Sequence, residues 1–120
     1  MLREELMKML DGREDDMIAL RRHFHEHPEL SFDEKETAAF IVRFYEDKPV
    51  VVETNVGNGY GIVVTIKGKQ PGRTIALRAD FDALQIEEQT GLPFASKNPG
   101  VMHACGHDGH TAYLMVLADC

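Results

Sequence analysis

The chain has 120 residues, with 13 basic and 20 acidic side chains, a formal charge of −7 and 43% hydrophobic residues, which suits one globular domain at most. An acidic balance argues against a nucleic-acid or anionic-membrane surface, since either needs a net basic face. The longest apolar runs fall far short of the roughly 20 residues that span a bilayer, and the Met1 end lacks a basic-then-apolar leader pattern, so a soluble cytoplasmic protein is expected.

In chain order, Leu2, Leu6 and Leu10 recur at helical spacing, Asp11 and Gly12 interrupt, and Met17, Leu20 and Phe24 resume the stripe until Pro28 closes it. Ser31-Phe32-Asp33-Glu34 reads as a capping box, in which Ser31 accepts from a free amide and Glu34 bonds back to the Ser31 amide. The helix it opens carries Ala38, Ile41, Val42 and Tyr45 and stops near Asp47, because Pro49 pushes Lys48 towards extended backbone. The β-branched runs Val50-Val51-Val52 and 62–66 flank Asn55, Gly57, Asn58 and Gly59, which predicts an antiparallel hairpin.

Thr74-Ile75-Ala76-Leu77 is apolar enough for an interior strand, and its carboxyl end delivers Asp80 and Asp82. From Phe81 to Gly100, two prolines and two glycines predict a long irregular loop, and loops of that length usually carry function. Asp108 is a good N-cap for a helix through Leu114, Met115, Val116 and Leu117 that is apolar on nearly every face and must be buried. The sequence stops at Asp119-Cys120 with no terminal glycine or basic last turn, so a longer polypeptide is expected to have been cut here. No repeat or linker divides the residues into two domains.

Two cysteines, Cys105 and Cys120, cannot build a dense disulfide framework, and a reduced compartment fits. Cys105 lies instead in the densest chemical cluster, residues 102–110, which joins a thiol, three imidazoles and a carboxylate at a loop-to-helix junction. One glycine separates Cys105 from His107 and lets the backbone turn, so that sulfur and a ring nitrogen can reach one ion. A thiolate with an imidazole favours zinc, while added carboxylates admit manganese or cobalt. Asp80 and Asp82, at i and i+2 of an extended segment, fall on one face, and either can orient a ligating histidine through its second ring nitrogen.

Blander readings compete. Cys105 can be an unliganded thiol, or a nucleophile activated by His103 or His107 at a helix N-terminus. Asp80 and Asp82 can be one turn cap and one solvated carboxylate. His23, His25 and His27 resemble a metal stripe, but His25 projects away from the other two on a helix, so a solvated or helix-capping role is expected. His110 falls on the first helical turn, and His103 is left between a structural and a substrate-facing role.

Three stretches carry a family resemblance: Leu20-Arg21-Arg22-His23-Phe24-His25-Glu26-His27-Pro28-Glu29-Leu30-Ser31, then Ala76-Leu77-Arg78-Ala79-Asp80-Phe81-Asp82-Ala83-Leu84, and residues 100–112 around Met102-His103-Ala104-Cys105-Gly106-His107-Asp108-Gly109-His110. Together they resemble the N-terminal part of the peptidase M20 family, in its N-acyl-amino-acid amidohydrolase and hippurate hydrolase branch. The resemblance implies an α/β fold, the N-terminal part of a phosphorylase/hydrolase-like zinc-peptidase catalytic domain, with a mixed sheet flanked by helices and truncated at residue 120. It implies that Cys105 and His107 are ligands of a two-metal centre, holding zinc or manganese and possible for cobalt, and that Asp82 supports that centre from just outside.

Asp80 sits where more distant members place a ligating histidine, and Gln85 and Phe81 replace the usual proline and methionine. The general-base glutamate, a neighbouring glutamate ligand and two further histidine ligands lie in sequence outside these residues, as does a smaller domain that often mediates dimerisation. The implied substrate is an N-acyl amino acid or small peptide, and the 120 residues alone are expected to be inactive. A non-catalytic fragment or interaction module is the alternative.

Overall fold

The computed structural model describes residues 2–120. Helices α1 (Leu2–Asp11) and α2 (Glu14–Glu26) are separated at Gly12 and Arg13, where the expected interruption falls. Helix α3 (Lys35–Tyr45) follows a turn, strands β1 (Val51–Val56) and β2 (Gly61–Thr65) form the predicted antiparallel hairpin, and helix α4 (His107–Asp119) ends the chain. The hairpin pairs Val51 with Thr65 and Val52 with Val64, and its ladder is irregular between Glu53 and Val56. Asn55, Gly57 and Asn58 all take positive φ at this reversal, which is why those residue types cluster there.

The core forms where three helices meet: Leu20 and Phe24 of α2, Ile41 and Tyr45 of α3, and Ala112, Met115 and Val116 of α4. Half-buried Val52, Ile62 and Val64 lay one face of the hairpin against it, as period-2 alternation requires. The Tyr45 hydroxyl donates to the Met115 carbonyl at 3.0 Å, tying α3 to α4. Asp119 locks the far end, accepting from Arg13 and Lys48 at 2.9 Å each. Both bonds help hold α4 in register with the start of α2 and the end of α3.

Several expectations are corrected. The capping box does not form: α3 starts at Lys35, and Glu34 accepts from the Phe32 amide instead. The α3 N-terminus is satisfied by Glu29, whose carboxylate accepts from the Glu36 amide and from both the amide and hydroxyl of Thr37. A full negative charge there answers two orphan amides and the helix dipole together, which releases Ser31. Helix α1 buries no residue fully: Leu2 at the start of its stripe is exposed, and only the far end, at Leu10, packs against the core.

Residues 74–77 form no strand, and Ile75 and Leu77 are exposed; a strand leaves its amides and carbonyls unpaired without a neighbour, and none lies alongside. Helix α4 buries only one face, with Tyr113 half exposed, and its N-cap position is Gly106 while Asp108 sits inside the first turn. Residues 81–100 contain no helix or strand, as expected, and are pinned by single bridges between Leu30 and Ala83 and between Leu84 and Met102. Among the described residues no helix is long and apolar enough to cross a membrane.

Candidate metal centre

The long loop and the start of α4 bring Asp80, Asp82 and His107 together, one donor atom from each lying within 4.8 Å of the others. His107 is the first residue of α4. Its Nδ1 lies 2.9 Å from Asp82 Oδ1 and 3.1 Å from the Asp82 carbonyl oxygen. With the Nδ1 proton held by those acceptors, the lone pair resides on Nε2 and is available to a cation. Thr111, one turn further along α4, donates to the Asp80 carbonyl at 2.8 Å and fixes this strip of backbone to the helix.

The two aspartates take different partners. Asp80 is held by Arg78, whose Nε and Nη2 donate to its two oxygens at 2.8 and 3.3 Å, and that guanidinium keeps the Asp80 carboxyl below its ordinary value. Partial burial alone would raise the Asp82 carboxyl, but hydrogen bonds from Ser31, its own amide and His107 outweigh it and leave it lowered. Both are therefore anionic at neutral pH. An open pocket of about 270 Å³ lined by Arg78, Asp80, His107, His110 and Tyr113 lies beside them. A larger groove of about 360 Å³ between α2 and α4 includes none of the clustered donors.

Cys105 is an exposed free thiol and is not among the three converging donors. It lies two residues from His107 across Gly106, where an added Cβ would stand 2.8 Å from His110 Nε2. His103 is buried with neither ring nitrogen bonded, and burial pushes its pKa down to about 4. His103 therefore faces neither solvent nor the open pocket.

His25 overturns the expected solvated or capping role. It is 2% exposed, its Nδ1 donates to Asp108 Oδ2 at 2.9 Å, and its Nε2 lies 2.9 Å from Glu88 Oε1. Arg21 Nε donates to the same Asp108 oxygen at 3.0 Å. A buried charged group persists only when paired, and this four-residue knot joins α2, the long loop and α4. His23 instead stacks on Phe40, with ring centroids 3.8 Å apart.

The sequence profile of peptidase family M20/M25/M40 matches residues 76–120, the stretch that contributes all three converging donors. An N-acyl-L-amino acid amidohydrolase of Geobacillus stearothermophilus is 49% identical over 118 residues, covering 98% of this chain and 32% of its own length. The chain thus matches the M20 family over residues 76–120 and is similar to such a hydrolase over nearly its whole length. A crystal structure from methicillin-resistant Staphylococcus aureus matches with a TM-score of 0.92 at 61% identity, covering 96% of this chain and 29% of that one. That of a Bacillus subtilis dinuclear metal binding peptidase from the M20 family matches at 0.81 and 48%, covering 88% and 30%. The fold is thus the α/β arrangement of M20 proteins over their N-terminal portion, and this chain spans 29% to 32% of the length of the first curated relatives it matches.

Sequence reasoning paired Asp82 with a ligating histidine in principle and left Ser31 out of the site. Ser31 read as a helix cap because its spacing to Glu34 fits that motif locally. Nothing in the linear order of the chain shows a contact 51 residues away, and the hydroxyl donates to Asp82 Oδ2.

Proposed function

We propose that the chain is the N-terminal, metal-binding part of a catalytic domain that hydrolyses the amide bond of N-acyl amino acids or small peptides, with the smaller domain of such enzymes outside residues 1–120. The observation that carries this reading is the Asp82–His107 pair beside anionic Asp80 in a chain similar to M20 hydrolases, because a carboxylate on Nδ1 is how ligating histidines are oriented. The acyl-amino-acid substrate is supported by the name of the Geobacillus relative, and the peptide alternative by that of the Bacillus one. Two metal ions per complete site follow the dinuclear character named for the same Bacillus protein.

The donors fit a divalent cation: two ionised carboxylates, an imidazole with a free nitrogen, and an exposed thiol two residues away. We assign Cys105 and His107 as the ligands this chain supplies, with Asp82 as the residue that fixes His107. The thiolate and imidazole favour zinc, and the carboxylates suit manganese or cobalt. When bound, the metal supplies Lewis acidity that lowers the pKa of water and polarises the amide carbonyl. Asp82 holds the His107 tautomer, Arg78 keeps Asp80 ionised, and the backbone bond from Thr111 keeps both aspartates at the mouth of α4. Shuttling a proton to the leaving amine requires a general base near water and amide, and no glutamate is among the converging donors of the described residues.

The test is a cobalt(II) titration read by thiolate-to-cobalt absorption. His107→Ala and Cys105→Ser should each abolish the band or weaken binding by about 100-fold or more, and a band that survives both substitutions sinks the ligand assignment. The 120-residue chain should bind metal without turning over N-acetyl amino acids. Hydrolysis by the purified chain, free of longer polypeptide, would overturn that division of labour.

A further inference from the structure

Asp82 can orient His107 only if its own carboxylate is prevented from pivoting. One hydrogen bond to Nδ1 leaves rotation about the last side-chain torsion free, whereas bonds to both oxygens fix the carboxylate plane. The second oxygen of Asp82 accepts from the Ser31 hydroxyl, which gives an unbroken series from Ser31 Oγ through Asp82 Oδ2 and Oδ1 to His107 Nδ1. Asp80 does not substitute for Ser31, because its own carboxylate is turned onto Arg78.

The segment that presents Ser31 is built for the purpose from both sides. The Glu29 carboxylate is bound to the first turn of α3, while the Glu29 carbonyl accepts from the Ala83 amide at 2.8 Å. Leu30 bridges Ala83 in the same place, so residues 29–31 run directly beside residues 82–83. A tight turn follows, closed by the Asp33 amide donating to the Leu30 carbonyl at 3.0 Å, and Phe32 takes a φ of 66°. Bulky residues adopt that backbone rarely, and such geometry persists where neighbours enforce it.

We propose that Ser31 is a positioning residue of the metal centre, acting through Asp82 on His107. The proposal rests on the reading of His107 as a metal ligand. Ser31 is exposed on a turn, so its replacement spares the core and its effect is legible apart from folding.

The experiment is cobalt(II) titration of the intact protein with Ser31→Ala, Ser31→Thr and His107→Ala, alongside thermal unfolding of each. Ser31→Ala should raise the cobalt dissociation constant about tenfold, the lower end of what outer partners of metal ligands contribute, with the melting temperature unchanged. Ser31→Thr, which keeps the hydroxyl, should restore affinity to within about twofold of wild type. Wild-type affinity in Ser31→Ala, or a Ser31→Thr variant as weak as Ser31→Ala, overturns the proposal while leaving the ligand assignment standing. If His107→Ala binds cobalt like wild type, the ligand assignment fails and Ser31 falls with it.

Discussion

The corner where α2, α4 and the long loop meet and the strip from Arg73 to Leu77 are both short of regular sheet, yet they behave in opposite ways. In the corner, polar residues are buried: His25, Asp108 and His103 are each 3% exposed or less. In the strip, apolar residues are out in solvent, with Ile75 at 90% exposure and Leu77 at 67%. Helices satisfy their own backbone and need only a partner for one face, so α2 and α4 can trap side chains of either kind between them. A strand has to borrow its hydrogen bonds from a neighbour. The lesson is that burial in this chain follows which backbone is satisfied, and residue polarity comes second.

The sharpest way to break that contrast is to truncate one apolar side chain from each region. Phe24→Ala should cost about 3–5 kcal/mol in urea unfolding, whereas Ile75→Ser should stay within about 0.5 kcal/mol. Equal losses would mean that the strip is covered in solution. Next in size is the polar knot. Asp108→Ala strips Arg21 and His25 of their shared acceptor and should cost about 3 kcal/mol. Amide exchange should then rise through residues 88–96, because Glu88 is the loop's hold on His25; unchanged protection would show the loop is anchored elsewhere.

A graded loss of comparable size should appear with acid. The His103 pKa is depressed by burial from 6.5 to about 4, so the unfolded chain takes up the proton first. The stabilisation from a neutral His103 is complete above about pH 6.5 and is lost as pH falls towards 4, on the order of 3 kcal/mol in all. Urea midpoints of the metal-free chain across that range, compared with His103→Gln, should show the slope only when His103 is present. The smallest effect is expected at the turn itself. Gly106→Ala places a methyl against the His110 ring, but His110 is exposed and can swing away, so stability should move by less than about 0.5 kcal/mol. A loss above 1 kcal/mol would show that His110 is held as firmly as the buried corner.

Much of the helical framework was legible because its signals are local. The break at Asp11-Gly12, the stop before Pro49 and the asparagine-glycine reversal of the hairpin each depend on the conformational range of one or two residues. The dense cluster around His107 was legible for the same reason, although Cys105 is not among the donors that converge with it. The roles of Ser31, Glu29 and His25 were not, since each is set by a partner far along the chain. Ser31 matched a capping motif that Glu29 displaced, and His25 looked like a solvated helical residue until Glu88 and Asp108 closed on it.

The sequence by itself determined where helices and the reversal occur, the reservoir of candidate ligating side chains and the family they resemble, because periodicity, turn chemistry and short motifs act over a few residues. Tertiary structure alone decided which carboxylate meets His107, which hydroxyl steadies that carboxylate, and which histidine is sealed from water. Those outcomes depend on the three-dimensional approach of segments dozens of residues apart, and chain order carries no local trace of a distance through space.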